Sequence, residues 1–194
     1  KHGYHAAQLL LTRQDFEDRQ RYLNTCNTLH SLLNFKTIPI INENDTISVD
    51  EITFGDNDIL SALVTNLLQA DLLILLSSVD GLYTTPPTSG KRCRVLSVVD
   101  SISDDIKKLA FKQKTKEGVG GMESKFEAAN IATGSGEAVI IANGMQSGIL
   151  SKIMNYDDVG TLFVPCNKKI TSRKRWIGFT VKPKGRVYID EGAL

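Results

Sequence analysis

Cysteine is scarce, and the three present, Cys26, Cys93 and Cys166, are far apart and odd in number. They lack the close spacing of a zinc site or of a small disulfide framework, and they suit a reducing compartment. Long apolar runs are missing as well. No stretch approaches the roughly 20 residues that span a bilayer, and Lys1-His2-Gly3-Tyr4-His5 does not lead into a signal-peptide core. The expectation is a cytoplasmic chain with no membrane partner. An excess of charge of one sign is also lacking. With 23 basic and 22 acidic residues the formal net charge is +1, which gives no general attraction to nucleic acid or to an anionic surface. What is present is the composition of one ordinary globular domain of 194 residues, 41% hydrophobic and 23% charged, able to bury a core.

Apolar periodicity divides this material into alternating strands and helices. Ala6 to Leu11 reads as a buried strand, and Phe16, Tyr22, Leu23, Cys26, Leu29, Leu32 and Leu33 recur mostly at helical spacing. Thr37-Ile38-Pro39-Ile40-Ile41 is a β-branched strand candidate, and Asp58 to Gln69 carries an apolar helical stripe. Asp71 to Leu76 is a continuous apolar run that predicts a central parallel strand. Further on, Val95 to Val99 reads as a short strand and Ile102 to Leu109 as a helix. They are followed by a helix from Ser124 to about Thr133, a buried strand over Ala138 to Ala142, a helix over Ser147 to Met154 and a last strand at Thr161 to Val164. The fold class expected is α/β, a largely parallel sheet flanked by helices.

Four polar clusters sit where such folds place ligands, after strands or before helices. Asn42-Glu43-Asn44-Asp45 follows a strand and offers four hydrogen-bonding side chains suited to the ammonium and carboxylate of an amino acid, or to nothing more than a turn. Gly55-Asp56-Asn57-Asp58 opens a helix, where an acid either caps the backbone or orients cations around an anion held by the helix end. Ser77-Ser78-Val79-Asp80-Gly81-Leu82-Tyr83 ends the strongest strand candidate. Its hydroxyls suit a nucleotide pocket, while Asp80-Gly81 taken alone is a good turn. In Gly118-Val119-Gly120-Gly121-Met122-Glu123-Ser124-Lys125 a glycine-rich turn runs into a helix. Backbone N–H groups there can approach phosphate oxygens, with Lys125 adding a full charge, although the spacing is neither a Walker A loop nor a dinucleotide fingerprint. A basic stretch, Lys168, Lys169, Arg173, Lys174 and Arg175, precedes Trp176 and reads as a linker or as a docking surface for RNA or another domain.

The order of these clusters resembles the glutamate 5-kinases of the amino-acid kinase superfamily. The likeness runs through Gln8 to Thr12, Asp18 to Asn24, Pro39 to Asp45, Gly55 to Leu63, Leu75 to Tyr83, Gly120 to Lys125, Gly160 to Phe163 and Arg173-Lys174-Arg175-Trp176-Ile177. It implies phosphorylation of the γ-carboxylate of L-glutamate by ATP with Mg²⁺, the first step of proline biosynthesis. Within it Asp58 and Lys125 would be catalytic, and Asp45, Asn57 and Asn42 would hold glutamate. Ser77, Ser78 and the run Val119, Gly120, Gly121, Met122, Glu123, Ser124 and Lys125 would hold ATP. One departure stands at Ser78, where the family commonly carries an acid. A larger one is the start: the family's first strand, lysine-bearing glycine loop and Ser-Gly-Ala segment do not precede Lys1. The resemblance thus implies a partial kinase domain over residues 1–166 lacking roughly 100 or more amino-terminal residues, with 167–194 a basic linker and tail toward a PUA-like domain. Further copies of the chain and a glutamyl phosphate reductase are the protein partners considered, and nucleic acid is not expected. The rival readings are another carboxylate kinase of the superfamily and a module that binds an amino acid without turnover.

Overall fold

A computed structural model describes residues 3–46, 57–85, 93–112, 121–166, 171–180 and 185. The chain begins with strand β1 (His5–Leu11), a single turn α1 (Gln14–Glu17), helix α2 (Arg19–Asn34) and strand β2 (Thr37–Glu43). The amphipathic run predicted as one helix is split at Asp18. This residue adopts an extended conformation and accepts a hydrogen bond from the Arg21 N–H at 2.9 Å, capping α2. β1 and β2 pair in parallel, from His5 opposite Thr37 to Leu11 opposite Glu43.

Helix α3 (Asn57–Leu68) leads to strand β3 (Leu72–Ser77), the two-residue strand β4 (Val98–Val99) and helix α4 (Asp104–Lys112). Helix α5 (Met122–Ser135), strand β5 (Ala138–Asn143), helix α6 (Ile149–Met154) and strand β6 (Thr161–Phe163) follow. The second sheet has the order β3-β5-β6-β4. Its β3–β5 and β6–β4 pairs are parallel, and β5–β6 is antiparallel. The expected α/β class with parallel pairing and flanking helices is what the chain adopts, divided between two sheets among the described residues. No helix among those residues is long and apolar enough to cross a membrane.

Two strand expectations need correction. The run Asp71 to Leu76 predicts a central strand, yet among the described residues β3 lies at the edge of its sheet, and Leu76 is 47% exposed. Hydrophobic run length measures how much apolar side chain a strand carries, not how many neighbours it acquires. The central position goes to β5, whose Val139 and Ile141 are fully buried. Likewise β1 is not buried on both faces: Gln8 and Leu10 point outward, as do Ile38 and Ile40 of β2. Leu23 and Leu33 of α2, counted as part of its apolar face, are also exposed.

A main core joins these layers, with a smaller cluster of Ala142, Ile149 and Ile153 beside it. Ala62 of α3 and Ala128, Ala129 and Ala132 of α5 are fully buried, and their small side chains let the two helices approach closely. Phe126 of α5 meets Phe163 of β6 edge-on, with ring centroids 6.3 Å apart. At the turn into β6, Gly160 has φ +78°, and a β-carbon added there would stand 2.5 Å from the Ile141 carbonyl oxygen of β5. Backbone cannot yield as a flexible side chain can. Gly160→Ala is therefore expected to cost about 2–4 kcal/mol, from left-handed strain plus overpacking, read as a lower urea midpoint with an unchanged slope.

Lys168 and Lys169 of the basic segment lie outside the described residues, but Arg175 and Trp176 reach the core. Ser172–Arg175 forms helix α7 and Trp176–Thr180 a π-helical stretch, with Trp176 packed against the main apolar cluster.

Candidate functional site

The helix openings singled out in the sequence meet in space. Asp58, in the first turn of α3, lies 2.8 Å from the Lys125 Nζ and 2.9 Å from the Ser124 hydroxyl, both in the first turn of α5. The side chains are deep, 14% exposed for Asp58 and 12% for Lys125. Ser124 also lies 3.0 Å from the Gly121 carbonyl, which fixes its rotamer across the start of the helix. Both helix amino termini carry partial positive charge, so Asp58 is favourably placed and Lys125 is not. The ammonium is held in an already positive corner by the carboxylate beside it. A second anion there would be drawn by Lys125 and by the N–H groups at the start of α5, where the N-cap Gly121 provides no side-chain cap.

A second polar cluster lies at the carboxyl ends of β3 and β5, where Ser77 pairs with Asn143. Asp80, just past β3, accepts hydrogen bonds from Asn143 Nδ2 at 2.9 Å, Gln146 Nε2 at 3.1 Å and the Tyr83 hydroxyl at 3.1 Å. It borders a cavity of about 320 Å³ that also takes in Ser97, Asp158 and Gly160. The Asn143 hydrogen bond above all, with those of Tyr83 and Gln146, lowers the Asp80 pKa against the upward push of burial. Because the folded-state value is the lower one, the stabilisation is complete above the ordinary Asp value of about 3.9 and disappears as pH falls through the depressed value. Carboxyl-carbon NMR is expected to show Asp80 titrating below about 3.9 and Asn143→Ala moving that midpoint upward.

Of the residues proposed from sequence, Asp58, Ser124 and Lys125 are joined in one hydrogen-bonded triad. Gly121 stands at the N-cap of α5, Met122 is buried, and Glu123 is exposed. Val119 and Gly120 lie outside the described residues. Asn57 opens α3 beside Asp58 and borders a cavity of about 390 Å³ between β2, α3 and β3. Asn42 and Asp45 are exposed at the end of β2, outside the triad, and the Asn44 N–H is tied to the Leu11 carbonyl at 2.9 Å. Ser77 is partly buried and Ser78 exposed, both at the β3 end of the Asp80 cluster. Sequence reading missed Asn143 and Gln146. Asn143 sits in an apolar strand and Gln146 in a turn, and only the β3–β5 register brings them to Asp80.

Comparison with known proteins adds an independent line. The model of the amino acid kinase family matches residues 1–143. The chain is 49% identical over 193 residues to a glutamate 5-kinase of Thermoanaerobacter sp. (strain X514), covering 100% of this chain and 52% of that protein. A glutamate 5-kinase of Syntrophotalea carbinolica is 47% identical over 191 residues, covering 98% of this chain and 51% of the relative. This chain thus spans about half the length of the curated relatives it matches. Among solved structures, carbamate kinase from Giardia lamblia bound to AMP-PNP superposes with a TM-score of 0.55 at 18% identity, covering 84% of this chain and 62% of that one. UMP kinase from Bacillus anthracis gives 0.54 at 14% identity, covering 84% and 59%. These last two speak for the fold, and the family match carries the assignment: the chain belongs to the amino acid kinase family.

Proposed function

We propose that the protein containing this chain transfers the γ-phosphoryl group of ATP to the side-chain carboxylate of L-glutamate. The observation that carries this reading is the part-buried Asp58–Lys125 pair at the meeting of two helix amino termini, in a chain 49% identical to a glutamate 5-kinase over its whole length. A glutamate carboxylate, with a reference pKa of about 4.3, is already ionised at neutral pH. It attacks the γ-phosphorus directly, the bond to the β,γ-bridging oxygen breaks, ADP departs and no proton need be removed. The products are γ-glutamyl phosphate and ADP.

Catalysis then consists of aligning two anions and neutralising the charge between them. Lys125 is the cation for the transferring group, Asp58 sets its position, and the N–H groups at the start of α5 complete the cradle. Asn42, Asp45 and Asn57 are the side chains proposed for glutamate, and Ser77 and Ser78 for the nucleotide. The cavity beside Asp80 extends the nucleotide side, with Asn143 and Gln146 holding the carboxylate in place. Among the described residues no group of three or more His, Cys, Asp or Glu could cage a metal. Mg²⁺ would come in with ATP, as such ions commonly do, and would supply charge neutralisation beside the triad, of which Asp58 is the acid.

The test is to incubate the complete gene product with MgATP and L-glutamate and trap the acyl phosphate as its hydroxamate. Hydroxamate is expected with glutamate and far less with aspartate or N-acetylglutamate. Equal yield from all three, or none from glutamate, overturns the proposal. Glutamate binding without ATP binding in calorimetry marks an amino-acid sensor instead.

A further inference from the structure

Glu137 immediately follows the glycine that ends α5 and is only 3% exposed. A carboxylate that deep is strongly disfavoured without a cation. Its partner is the Arg175 guanidinium, supplied from the far end of the chain and itself 11% exposed. The second oxygen, Oε2, has no hydrogen-bond partner among the described residues, so Arg175 carries the compensation. The next residue is anchored independently: the Trp176 indole N–H donates to the Phe16 carbonyl at 2.8 Å, next to the split between α1 and α2. Across the same surface the Arg19 guanidinium carbon lies 5.3 Å from the Trp176 ring centroid and 5.4 Å from that of Tyr22. Arg19 Nη1 is buried with no hydrogen-bond partner among the described residues, and stacking on two aromatic faces accommodates the guanidinium. On either side Arg173, Lys174 and Ile177 are exposed, while Arg175 and Trp176 between them are half-buried.

We propose that Glu137, Arg19, Tyr22 and the Phe16 carbonyl form a receptor for the Arg175-Trp176 pair, and that segment 171–180 is a strap closing on it to tie the α5–β5 turn to the α1–α2 junction. Charge and shape select different halves of the strap. Glu137 selects a guanidinium, and the Arg19–Tyr22 stack with the backbone acceptor selects an indole. Opening the strap strips the counterion from a carboxylate that water reaches poorly, so the carboxyl end of α5 loosens with it. This coupling rests on the contacts of the strap alone and is independent of any catalytic role.

Trp176 is the only tryptophan of the chain, so its emission reports strap closure directly. The 194-residue chain is expected to show blue-shifted emission with slow acrylamide quenching. Arg175→Ala is expected to shift emission to the red and raise the quenching constant several-fold, with far-UV circular dichroism unchanged and Arg175→Lys restoring part of the effect. Hydrogen exchange in residues 131–138 is expected to speed up in the same variant while the strands β1 and β2 stay protected. If Arg175→Ala fails to fold, Arg19→Gln keeps the Arg175–Glu137 pair and is expected to give the same red shift, smaller in size. Wild-type Trp176 quenched as fast as the indole of a free 171–180 peptide overturns the strap, as does unchanged emission in both variants. A red shift with no change in exchange at residues 131–138 overturns the tie to α5.

Discussion

Lys125→Met is expected to lower kcat for γ-glutamyl phosphate formation by a factor of about 10²–10³, the usual loss when one preorganised charge stabiliser is removed. Methionine keeps the apolar stem of the side chain and deletes only the ammonium. The affinity for glutamate should change little, because the amino acid is proposed to be held by Asn42, Asp45 and Asn57 rather than by Lys125. Asp58→Asn removes the partner 2.8 Å away and is expected to reduce kcat in the same direction, since the ammonium is then less firmly placed. Steady-state kinetics on protein shown to be folded by circular dichroism checks both. A Lys125→Met enzyme within about tenfold of wild-type kcat removes Lys125 from the transferring group, the smallest loss such a role permits being near 10².

The other large effect concerns the packing that holds this helix. Phe163→Ala is expected to destabilise the chain by about 3–5 kcal/mol, as for other phenylalanines lost from cores. Phe163 is 1% exposed and sits on β6, the strand that bridges parallel and antiparallel pairing, with its ring against Phe126 of α5. Removing it deletes apolar burial and the edge-on ring contact together, and it leaves a cavity under the helix that carries Lys125. The surroundings relax only partly, because the neighbouring Val139 and Ile141 are already fully buried. Urea denaturation measures the loss. Leu150→Ala, at a side chain 50% exposed, is the control and should move the midpoint far less.

The alternation of strands and helices was readable because apolar period is a local property. Ala138 to Ala142 is a continuous apolar run, and Ile59, Leu60 and Leu63 recur at helical spacing, whatever the rest of the chain does. Helix openings were readable for the same reason, which is why Asp58 and Lys125 could be singled out separately. Their 2.8 Å contact was not readable: 67 residues separate them, and only the approach of α3 and α5 through buried alanines closes that gap. The Asp80 cluster shows the same limit. Its Asp-Gly dipeptide looks like a turn until the β3–β5 register delivers Asn143.

The scarcity of cysteine and the near balance of charge, on which the sequence reading began, narrowed the class of protein without placing a single contact. Composition and period are sums over near neighbours, so residue order determined the elements, their α/β alternation and the residue types available for chemistry. Which strand became the sheet edge, which carboxylate met which ammonium, and whether Arg175 and Trp176 would hang free or bind the core depended on distant groups brought together. Those choices are energies of pairing and burial between segments far apart in the chain, and folding alone decided them.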